Sequence, residues 1–460
     1  MHGYSRLSAM ARGSREPVTT QIKVEGPPRI RRDAIPTRAL LDRSLLFFLE
    51  GYTFTIKRYH RWRARAFETR LLARRSVVMA GRDATSLFYD ADRIVQSRFV
   101  PWPIRTTLFG AGAVHFLEGE EHRHRKAMFM SMVTEESVAA LAAATARRWD
   151  AASDRWEAAD RVVLFDEAVQ VLGSAAFTWA GIPVERTDEG RRARDLATIV
   201  DGFGSLGLRH LRARMARRRA DRWARRLIAD VRAGRLHPPV GSPLEVIARH
   251  RGLDGRPMGE RLAATELLNV VRPTVAVAYF VTFAALAMHT HPEWRPRLAT
   301  GDEAVLEAFA HEVRRYYPFA PALGAKVRRE FTWQGRRFPR GRVVMLDVFG
   351  TDRDAGSWAD PERFDPERFI GREPDNLAWV PHGDGEPYTS HRCAGEGVTT
   401  ELLKTAERYL ARLRYDIPRQ DLRVPLNRIP TRPPSGFIMT NVRRILVPAG
   451  ADAGARRRSA

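Results

Sequence analysis

Pro381-His382-Gly383-Asp384-Gly385-Glu386-Pro387-Tyr388-Thr389-Ser390-His391-Arg392-Cys393-Ala394-Gly395-Glu396-Gly397 holds the only cysteine in a chain of 460 residues. Val398, Leu402, Leu403, Ala406, Tyr409, Leu410 and Leu413 follow at helical spacing, so Cys393 stands just ahead of a helix N-terminus. Unpaired N–H groups and the positive end of the helix dipole face such a position. Glycines allow close backbone approach, and His391 and Arg392 add positive charge. These features favour the thiolate form, which binds metal. A lone cysteine excludes an internal disulfide and multi-cysteine zinc or iron–sulfur sites. A buried inert thiol is the plain alternative. The glycine-rich approach favours a ligand instead, and with no partner cysteine a haem iron with one axial thiolate is the natural candidate.

Working outward, Glu312-Val313-Arg314-Arg315 lies on a predicted helix that Asp302 caps and Pro318 ends. Val305, Leu306, Phe309, Val313 and Tyr316 form its apolar face. Glu312 and Arg315, three residues apart, can pair; alone, the motif reads as an ordinary surface pair. Further upstream, Arg272-Pro273 interrupts the apolar segment Leu267 to Thr274. A proline there removes a backbone hydrogen bond and favours a kink. A buried arginine needs an anion, either an internal carboxylate or a ligand carboxylate gripped bidentately.

The surrounding pattern predicts a mainly α fold with small, segregated β-sheets. Phe67–Leu72 and Ser76–Ala80, parted by Arg74-Arg75, read as a hairpin. A helix-rich stretch runs from about Asp83 to Tyr317. Phe331–Trp333, Arg337-Phe338 and Val343–Val348 are β-like, with turns at Gly335 and Pro339–Gly341. Length alone allows roughly three ordinary domains or one large one. Residues 1–35 read as a flexible extension, 36–448 as the catalytic domain, and 449–460 as a disordered basic tail.

The formal net charge is +23 and 72 of the 77 basic residues are arginines. Leu208 to Arg226 concentrates them on a basic amphipathic helix. Nucleic acid, an anionic membrane surface or an acidic ligand are its functional readings. No nucleic-acid-binding motif accompanies it, so a solvated helix face outweighs these. The apolar run Thr274–Met288 is shorter than the roughly 20 residues that span a bilayer and reads as a core helix. With no signal-peptide pattern, the cytoplasm of a bacterium is the expected location.

In combination these motifs resemble the cytochrome P-450 family, from about Leu46 to Arg444. His122 and Lys126 match the helix that meets haem propionates. Glu312 and Arg315 match its E-x-x-R pair. Phe364-Asp365-Pro366-Glu367-Arg368-Phe369 matches its meander, with Arg368 completing the structural triad. Cys393 matches the axial ligand, and Arg392 beside it is expected at the cofactor. The resemblance is closer to the hydrogen-peroxide-using fatty acid peroxygenases and decarboxylases. Leu108-Phe109-Gly110, Asn269 to Pro273, Glu312 to Pro318 and His391-Arg392-Cys393 carry it. Arg272-Pro273 replaces the usual acid–threonine pair, and the proximal loop has an insertion between Gly383 and Cys393.

The resemblance implies haem b on Cys393 and H₂O₂-driven oxidation of long-chain fatty acids at Cα or Cβ, by hydroxylation or by decarboxylation to a terminal alkene. Arg272 is expected to hold the carboxylate, Pro273 to shape the helix, and Phe109 to pack by the first carbons. His115 stands at the position that bears on product partition. A redox partner is not expected to be required, nor a nucleic-acid partner or transmembrane segment. The competing readings are a redox-partner monooxygenase and a basic nucleic-acid- or membrane-surface-binding protein.

Overall fold

Local chemistry fixes several element ends. Asp302 caps the helix Glu303–Tyr316 by accepting from the N–H groups of Ala304 and Val305 at 2.9 and 3.2 Å. The helix stops before Pro318, as expected. The hairpin expected near residue 70 is present, but its turn is Leu72-Ala73, both with positive φ, and Arg74 and Arg75 belong to the second strand. Ser44 Oγ and Asp42 Oδ2 accept from the turn N–H groups at 2.6 and 2.5 Å. These bonds hold two non-glycine residues in a conformation that suits a tight hairpin.

The computed structural model describes residues 37–96, 99–183 and 186–445. The expected extension 1–35 and tail 449–460 lie outside the described residues. Strand β1 (Thr37–Asp42) precedes α1 (Ser44–Glu50), α2 (Thr53–Trp62) and the hairpin β2 (Ala66–Leu71) and β3 (Arg74–Met79). Next come α3 (Arg82–Phe88), β4 (Ile94–Val95) and α4 (Trp102–Ile104), which runs into a π-helical turn, Arg105–Phe109. The helical body holds α5 (Gly119–Ser131), α6 (Glu135–Glu157), β5 (Val162–Val163), α7 (Leu164–Trp179), α8 (Arg186–Asp201) and α9 (Leu208–Arg232). It continues through α10 (Pro243–Arg249), α11 (Glu260–Ala276), α12 (Ala278–Thr290), α13 (Trp294–Ala299) and α14 (Glu303–Tyr316). The last part contains β6 (Ala322–Val327), β7 (Phe331–Trp333), β8 (Arg336–Phe338), β9 (Val343–Asp347), α15 (Val348–Thr351), α16 (Glu396–Ala411), β10 (Leu413–Asp416) and β11 (Ile438–Arg444).

The sheets are small and set apart from the helices, in the orders β1-β2-β3-β9-β6-β4, β10-β11-β5 and β7-β8. Residue pattern does not reveal β6, because Ala322, Gly324 and Ala325 have low strand propensity. Gly324 admits the backbone of Phe99 closely enough that a Cβ would lie 2.6 Å from its carbonyl oxygen.

Helices α11 and α12 form the centre. Together they are long and apolar enough to cross a membrane by length and composition, yet 89% of the apolar window is buried inside the protein. This is the expected core helix, longer than the run Thr274–Met288. Pro273 sits inside α11, whose helical bonding continues to Ala276. The basic amphipathic helix is likewise extended, to Arg232.

Candidate active site

The site has three parts: a proximal loop, a scaffold of buried ion pairs, and a polar stripe on α11. In the scaffold, Glu312 and Arg315 are fully buried, not a surface pair. Arg315 donates to both carboxylate oxygens, at 2.6 and 2.8 Å. It also donates to the carbonyls of Asp352, Pro361 and Arg363 at 2.9–3.2 Å. The N–H of Asp365 donates to Glu312 at 2.7 Å. Arg368 approaches Glu312 at 3.5 Å and donates to the carbonyls of Ala359, Asp360 and Arg363. The sequence-predicted triad is therefore assembled around the meander that leads to the proximal loop.

In that loop the N–H of Cys393 donates to the carbonyl of His382 at 3.0 Å. Helix α16 starts three residues later. Lys126 donates to the carbonyl of Arg392. Arg392 itself is paired with Glu396 at 2.7 Å. The Cys393 side chain is exposed, and the N–H of Gly395 and the charge of Lys126 both favour its thiolate form. His122 stacks on His391 with ring centroids 4.0 Å apart. Burial and then Lys126 push His122 down to about 4. Burial and then His122 push His391 down to about 3. Both imidazoles are thus neutral at pH 7.

In the stripe, Glu266, Asn269 and Arg272 share one face of α11 at three-residue spacing. Arg272 is buried. Its Nη2 donates to Asn269 Oδ1 at 2.9 Å. Asn269 Nδ2 donates to Glu266 at 3.0 Å. Glu266 also accepts from Arg125 and from the N–H of Val114, each at 2.9 Å. Arg272 has no carboxylate partner among the described residues, and its buried Nε has no hydrogen bond at all. Burial and then Arg217 push its pKa down to about 9. It stays charged at neutral pH and gains from a bound anion.

Phe109 ends the π-helical turn, a distortion often found at functional sites. Its ring lies 5.9 Å from the Arg272 guanidinium and 4.2 Å from the His115 ring. Burial and then Arg272 push His115 down to about 3, and its Nδ1 is buried without a partner. Gly110, at φ 89°, lets Arg217 and Thr265 close on the turn. A Cβ there would collide with both. Arg217 donates to the carbonyl of Leu108 at 2.8 Å.

Phe109, His115 and Arg272 are thus brought together, with Cys393 and Lys126 within electrostatic reach. Sequence reasoning missed Glu266, Arg125 and Arg217. The detectable signal was Glu266 itself, a carboxylate inside the apolar run of α11.

Comparison with known proteins decides the family. The cytochrome P450 family model matches residues 304–440. Structures of cytochrome P450SP alpha (CYP152B1) are 40% identical with TM-score 0.85, covering 88% of this chain and 99% of theirs. The chain belongs to the cytochrome P450 family. Ligand-free cytochrome P450 OleT is 34% identical with TM-score 0.87, over 90% of this chain and 100% of that one. Cytochrome P450EX alpha (CYP152N1) with myristic acid is 36% identical with TM-score 0.85, over 89% and 99%. Among curated sequences, cytochrome P450 137 of Mycobacterium tuberculosis is 29% identical over 189 residues. That match spans 40% of this chain and only 38% of the relative's length.

This cytochrome P450 is an oxidoreductase, and its solved relatives agree with the CYP152-type peroxygenase branch that its motifs resemble. Its cofactor is thiolate-ligated haem. The residues fit that group. The single thiol lies at a loop braced by backbone bonds. Beside it, buried Lys126 uses one donor on a carbonyl and pairs with no carboxylate among the described residues.

Proposed function

We propose that this P450 oxidises long-chain fatty acids near the carboxyl end with H₂O₂, with Arg272 gripping the carboxylate. The observation that carries the reading is the buried Arg272 guanidinium, with an idle Nε and no carboxylate partner among the described residues. Removing an arginine from water without an anion is costly, so the site is built to receive one. A carboxylate matches its planar fork.

Residues 36–448 form the catalytic domain in this reading. Cys393 is the axial ligand, and His122, Lys126 and Arg392 hold the cofactor's edge. When bound, haem supplies the oxidising chemistry that converts H₂O₂ and a C–H bond into product. Arg272 orients the acid so that Cα and Cβ lie foremost, and Phe109 packs against those carbons. Arginine keeps its proton and cannot shuttle one. The carboxylate that Arg272 holds is the group able to do so, which makes activity depend on a correctly seated acid. Pro273 leaves the carbonyl of Asn269 without its helical N–H and so shapes α11 at this point. His115, held neutral, is placed to influence whether a hydroxy acid or a terminal alkene leaves.

The test is incubation of the haem-loaded protein with H₂O₂ and a long-chain fatty acid, with products read by mass spectrometry. Arg272→Ala should keep the haem-thiolate spectrum and lose about 100-fold of this activity, as expected for a charge-assisted grip. Undiminished turnover in the variant removes the anchor role. Turnover only with a reductase and NAD(P)H replaces the peroxygenase reading with the redox-partner one.

A further inference from the structure

Several of the large apolar side chains that the described residues expose gather at one place. Leu45 and Leu49 project from α1, with 64% and 62% of their surface exposed. Phe47 and Phe48 of the same helix line an apolar cavity of about 70 Å³. Phe203 and Gly204 line its other side. Leu206 and Leu208 follow them and are 55% and 72% exposed. Leu211 and Met215 continue the exposed apolar surface along the first turns of α9. Trp102, also exposed, joins through the Arg214 guanidinium 5.5 Å from its ring. A cluster of this kind rimmed by polar residues marks an interaction surface.

Charge says what kind. On α9, Leu208, Leu211, Met215, Arg218, Arg222 and Arg226 succeed one another every three or four residues, so they share one outward stripe. Its first half is apolar and its second half basic. Arg218, Arg222 and Arg226 have no ion-pair partner among the described residues. Their neighbours Arg217, Arg219 and Arg225, by contrast, are matched by Asp221, Asp195 and Glu260. The carboxylates near the leucines are already engaged. Asp42 accepts from the N–H groups of Ser44 and Ala73, and Glu50 pairs with Arg58 at 2.6 Å.

We propose that this face docks on an anionic phospholipid bilayer, with the leucines in the headgroup–acyl boundary and the α9 arginines along the phosphates. An apolar end joined to a basic stripe suits that boundary. DNA would reward the arginines but not the leucines, and a second copy of this chain would set the arginines against each other. The inference deepens the proposed function by naming the phase from which a long-chain acid arrives. Its test reads lipid binding alone, so it stands or falls apart from the oxidation chemistry.

The full haem-loaded chain is floated with phosphatidylcholine vesicles, pure or with about one-third phosphatidylglycerol, at ~0.1 M salt. Wild type should float with the anionic vesicles and not with the neutral ones. Leu45→Asn/Leu208→Asn/Leu211→Asn should bind them roughly tenfold less while keeping its haem-thiolate spectrum. Arg218→Glu/Arg222→Glu should show a comparable loss, independently of the apolar change. No flotation with anionic vesicles overturns the proposal. So does wild-type binding by the leucine variant, or stripping of the protein from vesicles by duplex DNA with no effect of the leucine change. A dimer in light scattering that the leucine change dissolves, without altering flotation, overturns it too.

Discussion

Two arginines are buried within the same fold and treated in opposite ways. Arg315 donates to both oxygens of Glu312 and to three backbone carbonyls. Arg272 donates to one neutral amide and leaves its Nε idle. The first cation is neutralised from within and acts as a structural joint. The second has no carboxylate partner among the described residues, which leaves it open to an anionic ligand. Burial alone separates neither; the completeness of the hydrogen bonding does.

The sharpest way to break the comparison is to strip Arg315 of its anion. Glu312→Gln leaves a buried guanidinium facing an amide, and breaking such a pair costs about 3–5 kcal/mol. Urea denaturation should show that loss, together with poor haem retention. A variant with an unchanged midpoint would mean that the carbonyls alone satisfy Arg315. The reciprocal change at the other site should have the opposite signature. Arg272→Leu removes an uncompensated charge from the interior, so stability should hold or rise while fatty acid oxidation drops about 100-fold. A destabilised Arg272→Leu protein would place that arginine with Arg315 as a structural joint.

A smaller effect should follow at Glu266, which sets the orientation of Asn269. Because Glu266 only accepts, Asn269 must turn its Nδ2 toward it and its oxygen toward Arg272. Glu266→Gln allows the amide to flip and present donors to Arg272. The expected result is about a tenfold loss in kcat/KM for fatty acids, with the haem spectrum intact. It also loosens Val114, and with it the segment bearing His115. Equal kcat/KM in variant and wild type would show that Arg272 orients itself.

What the sequence disclosed follows the same division. Local rules reveal the Asp302 cap, the α14 stop before Pro318 and the helix after Cys393, because each depends on residues close in sequence. The E-x-x-R pair was visible as spacing, but its burial was not. Its full bonding draws on the carbonyls of Asp352, Pro361 and Arg363, which arrive from the stretch leading into the meander, dozens of residues later. Strand β6 was hidden because its alanines have low strand propensity and Gly324 answers to the close approach of Phe99. Arg125 and Arg217 reach α11 from helices far away in sequence, so no spacing could announce them.

The mildest test concerns pH and the compensated side of the molecule. His311 lies on α14 one residue before Glu312, stacked on Trp379 at 4.8 Å. Burial, reinforced by Arg314, pushes it down to about 4. An unfolded chain takes up that proton near the ordinary value of 6.5, while the folded chain resists until about 4. Between those values the unfolded state holds more protons, so stability falls as the pH falls, by at most about 1.4 kcal/mol per pH unit. The contribution is fully present above 6.5 and exhausted below about 4. His311→Phe keeps the stacking partner and removes the titration. Its denaturation midpoint should therefore drop less than that of wild type between pH 6.5 and 4.5. Equal slopes would show that Arg314 and Trp379 tolerate a charged imidazole, and that the scaffold's charge balance extends one residue further than the Glu312–Arg315 pair.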